Sequence, residues 1–489
     1  MAKTAAVATK SSKTGSSSGS GKSTKAKANR PNAFANYQTA TKWLAEHADL
    51  ERVRASRVDP SVFTLDRMTA LMKHLGNPEQ DLRAIHVAGT NGKGSTVAML
   101  SSCLQACGYT VGAYTSPHLV DLRERIQVND QLISHQSMTA ALSEVAGAVE
   151  KLPKKLGPPT YFEILTAAGF LYLVEQAVDI ALIEVGMGGR LDSTNVITPE
   201  VSVITGLSLD HTQYLGQTLP EIAREKAGIL KPGVPAITFE QEPGIVDVLR
   251  ECAETVGATL EVVGKDIDFS YRFESSPQLG PHTRVGLSTP RVSYEHVPVP
   301  LPGEHQAFNC GLVLAVLDKL AGMGFDLPES KVTSGLETTR VPGRMELVWK
   351  DPRILLDGAH NPAAISGLIR SIGAHIPYDS LVMIFGCAAD KDVDEMLRRV
   401  ALGADKVIFT RAKGNPRASD PAELARRFSE ESSKMAQAAA SLDDALSIAG
   451  RAAGRDDLIC ITGSFYLVGE AKKALISRAE KMGVSLLSS

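Results

Sequence analysis

Ile85-His-Val-Ala-Gly-Thr-Asn-Gly-Lys-Gly-Ser-Thr-Val97 is the stretch that decides how this chain is read. The short apolar run Ala84–Val87 predicts a strand, Gly89-Thr-Asn-Gly-Lys-Gly-Ser95 a tight turn, and Ser95–Ala106 an apolar helix. Small residues in such a turn let backbone N–H groups wrap phosphates, and the helix N-terminus adds a favourable dipole. Lys93 stands where its ammonium would reach the outer phosphates as a point charge. The spacing departs from the usual G-x-x-x-x-G-K-[ST] pattern. Val87 holds the place of the first glycine, and Gly94 separates the lysine from Ser95. The competing reading, an ordinary Gly-rich turn, is disfavoured by the strand and helix on either side.

Outward from this loop, strand-like and helix-like stretches alternate. Thr110–Tyr114, Ile180–Val185 and Val201–Thr205 read as buried strands, with a helix over Phe162–Gln176. Such alternation implies an α/β fold with a mostly parallel sheet and helices on both faces. After Gly264 the segments shorten, and Arg291–Val297 alternates as a small antiparallel strand would. An apolar helix over Phe308–Leu320 follows, then strands at Arg353–Leu356, Leu381–Phe385, Lys406–Thr410 and Leu458–Thr462. This is a second, smaller Rossmann-like α/β unit of about 150 residues, a common domain size. The connector Leu336–Pro342 places the boundary so that residues 33–337 form the nucleotide-binding domain and 338–489 the C-terminal one. Gly186-Met-Gly-Gly-Arg-Leu191 begins like a dinucleotide fingerprint but ends on Leu191 and continues as loop, so that reading fails.

Composition sets the outer limits. The chain has 489 residues, 43% hydrophobic and 22% charged, which is a soluble globular profile with room for more than one core. A net charge of -3 gives no general case for nucleic-acid or membrane binding. The cysteines (Cys103, Cys107, Cys252, Cys310, Cys387, Cys460) are scattered without a C-x-x-C pair, as expected of reduced thiols in the cytoplasm. Cys103 and Cys107 read as small core residues on one helix rather than a metal pair. Residues 1–32 are Ser, Gly, Ala and Lys with no acid, a composition expected to stay disordered. Within them, Gly19-Ser-Gly-Lys-Ser-Thr24 imitates a phosphate loop but lacks the flanking strand and helix.

Several polar side chains fall just past expected strand ends, where a parallel sheet opens into its ligand crevice. Ser116 follows the Thr110–Tyr114 strand, Glu184 closes Ile180–Val185, and Asp210-His211 follow Val201–Thr205. Mg²⁺ prefers oxygen and keeps several waters, so a few such ligands with phosphate oxygens suffice. Singly, each of these residues reads as structural, and their shared placement beside a phosphate loop makes them candidates. In the second unit, Asp357 and His360 stand in a polar turn after a strand and are candidates for nucleotide or substrate contact.

Together these segments resemble the folylpolyglutamate synthase/dihydrofolate synthase family, within the Mur ligase group. The likeness runs from about Phe63 to Val468. It rests on Val87-Ala-Gly-Thr-Asn-Gly-Lys-Gly-Ser95, Thr115-Ser-Pro-His-Leu119, Glu184-Val-Gly-Met-Gly-Gly-Arg-Leu-Asp-Ser-Thr-Asn195, Leu209-Asp-His-Thr212, Glu225-Lys-Ala-Gly228, Leu301-Pro-Gly-Glu-His-Gln306 and Asp357-Gly-Ala-His-Asn-Pro362, in family order. The resemblance implies an ATP-dependent ligase that adds L-glutamate to folates, and to dihydropteroate in bifunctional members, through an acyl phosphate. It implies that Asn91, Gly92, Lys93, Gly94 and Ser95 bind ATP, with Asn309, Arg344 and Asp357. It further implies Mg²⁺ held by Ser116, Glu184 and His211, a carbamylated Lys226, and a functional His360. Substrate contacts are implied around Val62 to Leu65, with Leu65 the residue assigned there, and at Phe162, Glu163, Arg190, Leu191 and Asp192. A cytoplasmic monomer with small-molecule substrates, and neither nucleic acid nor membrane as partner, is the expected setting.

Three rivals accompany this expectation. One is a monofunctional folylpolyglutamate synthase, and another a Mur-type ligase acting on a cell-wall precursor. The third, from a different class, is a non-enzymatic ATP- or nucleic-acid-binding protein anchored by its basic tail.

Overall fold

The computed structural model describes residues 33–53, 62–276 and 280–487. The basic tail and its imitation phosphate loop lie outside them.

Eight strands build the first sheet: β1 (Ala84–Ala88), β2 (Val111–Tyr114), β3 (Ile126–Val128), β4 (Gln131–Leu132), β5 (Ile180–Glu184), β6 (Val201–Ile204), β7 (Pro235–Phe239) and β8 (Thr259–Val263). Their order is β4-β3-β2-β5-β1-β6-β7-β8; only the β2–β3 and β3–β4 pairs are antiparallel. Every residue of β1, β5 and β6 is buried, which explains their unbroken apolar character. Successive side chains still part to opposite faces. Leu182 of β5 joins the core shared with Val313 and Leu317 of the Glu304–Gly322 helix. Ala181 and Ile183 join the core of Leu165 and Phe170 on the Tyr161–Glu175 helix. From β1 the chain first passes to β2 on one side and later to β6 on the other. The phosphate loop therefore leaves the sheet where the winding reverses, the usual place for a ligand crevice.

The expected elements are present with ends shifted by a residue or two. The helix after β1 spans Lys93–Ala106, so Lys93 itself opens it. The expected Phe308–Leu320 helix begins a turn earlier, at Glu304. The antiparallel segment is larger than its sequence suggested. Strands β9 (Asp268–Ser276), β10 (Gly280–Ser288) and β11 (Ser293–Pro298) form a three-stranded sheet whose inner face, with Val285 and Leu287, packs on the Glu304–Gly322 helix.

The second large sheet has β12 (Glu346–Lys350), β13 (Arg353–Leu356), β14 (Leu381–Phe385), β15 (Lys406–Phe409), β16 (Met435–Ala438) and β17 (Leu458–Thr462), in the order β12-β13-β17-β14-β15-β16. All but the β12–β13 pair are parallel. A helix over Glu329–Thr338 precedes this sheet and packs on the Lys93–Ala106 helix, close enough that a Cβ on Gly335 would lie 2.6 Å from the Cys103 Cα. Cys103 is thus a buried core residue. Direct bonds join the two sheet systems: Arg417 Nη1 donates to the Glu51 carbonyl at 2.7 Å and Arg52 Nη2 to the Gly414 carbonyl at 2.7 Å. Among the described residues, no helix is long and apolar enough to cross a membrane.

Candidate active site

The loop after β1 is fixed by its own backbone and by the loop after β6. Thr90 N and Asn91 N both donate to the Gly206 carbonyl, at 2.9 and 3.0 Å. Two glycines are required here. Gly92 has φ +94, and a Cβ on it would lie 2.4 Å from Asn309 Oδ1. Gly89 presses so closely on Thr205 that no side chain fits, at 1.8 Å from its Oγ1. Lys93 Nζ folds back to donate to the carbonyls of Gly89 (3.1 Å) and Thr90 (3.3 Å).

A cavity of about 1120 Å³ opens beyond this loop, between the two large sheets. Gly92, Lys93 and Gly94 line it, with Ser116, Glu184, His211 and Lys226 from the first sheet's loops. Arg344 and His360 reach it from the second. Phe162, Glu163, Arg190, Leu191 and Asp192 form another part of its wall. The remaining expected residues stand behind the surface. Asn309 supports the Gly92 turn, and Asp357 accepts from Met345 N (2.9 Å) and Ala359 N (2.8 Å) beneath Arg344. The extra glycine moves Ser95 one step along the helix, where its hydroxyl accepts from Gln306 Nε2 at 3.3 Å, and Ser95 is not part of the cavity wall. Leu65 also misses the wall. Thr64 caps the helix that Leu65 opens, and Val62, Phe63 and Thr64 line the cavity instead.

Some wall residues already spend their polar atoms on shaping the wall. Glu163 accepts from Arg67 Nε at 2.8 Å and from Thr160 N at 2.7 Å, which pins the start of its helix. Asp192 accepts from Met187 N (2.9 Å) and Thr194 N (3.0 Å) and so closes the Gly186–Asp192 loop on itself. Arg190 pairs with Glu225 at 2.8 Å and is otherwise open to solvent.

Electrostatics set this cavity apart from a packed core. Burial pushes the Glu184 carboxyl above its usual range, against the opposing pull of Lys93 and of Ser116 N at 3.3 Å. Burial likewise pushes Lys93 down, opposed by Glu184 and Asp210. Lys226 falls to about 7, first by burial and then by the like charge of Lys93; its Nζ donates to the Gly89 carbonyl at 2.8 Å. His211 is held neutral, at about 3, by burial and Lys391, and His360 at about 4 by the same two causes. His211 also has φ 50, a left-handed backbone that a non-glycine residue adopts at a cost. Buried oxygen and neutral nitrogen donors around a crowded pair of lysines fit a hard cation and phosphate. Among the described residues, no trio of His, Cys, Asp and Glu gathers into a cage.

Three residues not singled out in the sequence, Lys391, Asn361 and Arg417, converge here with Asp210. Asp210 accepts from His211 N at 2.8 Å, forms an ion pair with Lys391, and lies 3.6 Å from His360 Nε2. Asn361 Nδ2 reaches both Asn91 and Asp210. Arg417, paired with Asp390 at 2.7 Å, stands at the rim. The signal for Lys391 was available, since Ala388-Ala-Asp-Lys391 is a polar turn just past β14, the placement that pointed to Ser116 and His211.

Comparison with known proteins agrees with this geometry. Residues 87–317 match the Mur ligase middle domain and residues 343–465 the Mur ligase glutamate ligase domain. The chain is 37% identical over 451 residues to the dihydrofolate synthase/folylpolyglutamate synthase of Bacillus subtilis, covering 90% of this chain and 100% of that protein. Against the Escherichia coli dihydrofolate synthase/folylpolyglutamate synthase it is 30% identical, covering 89% and 95%. The Mycobacterium tuberculosis folylpolyglutamate synthase complexed with ADP superposes with a TM-score of 0.81 at 33% identity, over 90% of this chain and 98% of that one. E. coli FolC in complex with DHPP and ADP gives 0.78 at 30%, over 92% and 100%. With a phosphate loop, a cavity built by two sheets and relatives matched over nearly their full length, the chain belongs to the dihydrofolate synthase/folylpolyglutamate synthase family of Mur-type ATP-dependent ligases.

Proposed function

We propose that this protein joins L-glutamate to folate-type acids at the expense of ATP, acting both on dihydropteroate and on the terminal γ-carboxylate of folates already carrying glutamate. The observation that carries the reading is the single cavity that holds Lys93, Glu184 and His211 from one sheet and Arg344 and His360 from the other. Residues 33–337 and 338–489 are taken as the two domains, and the protein as a cytoplasmic monomer acting without nucleic acid.

A carboxylate is a poor electrophile because oxide is a poor leaving group. In the first step its oxygen bonds to the γ-phosphorus of ATP while the β–γ bridging bond breaks, giving an acyl phosphate and ADP. Lys93, with its ammonium beside Glu184, stabilises charge on the transferring group, and the Gly92–Gly94 backbone orients it. Mg²⁺, held by Ser116, Glu184 and His211, would neutralise phosphate charge when bound. In the second step the unprotonated amine of glutamate attacks the acyl carbon, the C–O bond to phosphate breaks, and the amine's surplus proton leaves. His360, neutral at pH 7 and 3.6 Å from Asp210, is assigned the role of accepting that proton. Arg344 of the second domain, stacked 4.6 Å from the Phe465 ring, is assigned to the nucleotide together with Asn309 and Asp357.

Lys226 is assigned as a carbamate. Carbamylation needs a neutral amine, and a lysine at about 7 offers one at ordinary pH. The product is an anion, so the repulsion between Lys226 and Lys93 becomes attraction. Phe162, Arg190, Leu191 and Asp192 are assigned to the acid substrate, with Phe63 in place of Leu65.

Ligation assays with ATP and glutamate, comparing dihydropteroate with a reduced folate as acceptor, test the proposal. Phosphate release and a new amide with both acceptors are expected. Turnover with the reduced folate alone would reduce the protein to a monofunctional synthase, and turnover with neither would overturn the reading.

A further inference from the structure

We propose that Asn361 is a positioning residue that couples the phosphate loop to the second sheet, a role that rests on the ligase reading above. Asn361 is 1% exposed and lies just after β13, at the start of the Pro362–His375 helix. Its two amide ends serve different masters. Oδ1 accepts from Ala364 N at 2.9 Å and caps the helix. Nδ2 crosses to the other sheet system, donating to Asn91 Oδ1 at 3.1 Å and to Asp210 Oδ2 at 3.3 Å.

Capping alone does not call for asparagine. Ser, Thr and Asp cap a helix about as well, because the cap needs only an acceptor. The donor half of the amide has no local work and finds partners only across the cleft. Those partners matter to the chemistry. Asn91 belongs to the phosphate loop, held by its own Nδ2 on Ser208 Oγ at 3.1 Å. Asp210 precedes His211 and pairs with Lys391, which the second sheet also supplies. One buried amide therefore ties the loop that carries Lys93, the turn that carries His211 and the segment that carries His360. Misplacing such groups by about an ångström is expected to cost up to roughly a hundredfold in rate.

Asn361→Ser in the full chain separates the two halves, since a serine keeps the cap but is too short to cross the cleft. The expected result is an unchanged melting temperature, a kcat lower by roughly tenfold or more, and a KM for the folate that stays near the wild-type value. Added to Asn91→Ala, the substitution should cost little more than either change alone. Asn361→Asp keeps the cap and removes the donor, so it should lose kcat as Asn361→Ser does. Hydrogen exchange of the Gly89–Lys93 amides, read on the same samples, is expected to speed up in Asn361→Ser whichever acid is the substrate. Wild-type kcat, losses that multiply with Asn91→Ala, or unchanged exchange in this loop would overturn the coupling. An inactive wild type with faster loop exchange in the variant would overturn the ligase reading and leave the coupling standing.

Discussion

At the scale of single residues, the chemistry turns on two lysines that burial keeps from behaving as ordinary surface cations. Lys93 folds onto the carbonyls of its own loop and faces Glu184, so its charge is aimed at the space above the loop. Lys93→Ala should lower kcat by roughly 10²–10³-fold, the usual cost of removing one preorganised charge-stabilising donor, while leaving the melting temperature within a few degrees. Steady-state kinetics beside thermal unfolding checks this, and near-wild-type turnover would remove Lys93 from the chemistry. Lys226 makes a prediction about pH. Its amine is protonated below about 7 and neutral above it, so carbamate should be lost as pH falls. Bicarbonate should therefore rescue turnover of degassed enzyme more at pH 8 than at pH 6, and Lys226→Arg should abolish the rescue. A bicarbonate response that survives in Lys226→Arg would place the effect elsewhere. Which residues line the cavity was partly legible in the sequence. Ser116, Glu184 and His211 declared themselves by standing after strands. Asn361 and Lys391 also stand after strands, but the partners that give them their place, 270 and 181 positions away along the chain, do not show in the sequence.

At the scale of elements, the buried strands were readable because parallel strands covered on both faces are continuously apolar, and β14 and β17 begin and end where their composition says. The β9–β11 sheet was only half legible. β9 has one face open to solvent, with Phe273 56% exposed, and its alternation of polar and aromatic residues resembles a loop as much as a strand. Substrate-side residues were the least legible, since Leu65 and Phe63 differ only in which side of a helix cap they fall. Strand β1 carries its own test. His86 is fully buried in it, with Nε2 2.8 Å from Thr194 Oγ1, and burial lowers it to about 3. The unfolded chain binds this proton near pH 6.5 and the folded one does not, so stability is lost as pH falls from about 6.5 toward 3. Between pH 7 and pH 5 this one group should cost about 2 kcal/mol of unfolding free energy. Urea unfolding at both values, on the wild type and on His86→Leu, should show a smaller loss in the variant, and equal losses would dismiss His86 as the cause.

At the scale of the whole molecule, one cavity between two sheets does what neither sheet offers alone. The first brings the phosphate loop and the metal-type donors, and the second brings Arg344, His360 and Lys391. The architecture was legible because strands and helices alternate, whereas the docking of one unit on the other was not, because it depends on single contacts such as Arg417 on the Glu51 carbonyl. The cavity's lining, among the described residues, begins at Asp49, so removing residues 1–32 should leave kcat unchanged, and a loss of turnover would revive the reading in which the basic tail is an anchor. The central claim is that the acid is activated as an acyl phosphate within this one cavity. It is tested most directly by labelling the reacting carboxylate of the acceptor with heavy oxygen and weighing the phosphate released on ligation. Phosphate carrying one oxygen from that carboxylate is expected, and phosphate free of the label would contradict activation as an acyl phosphate.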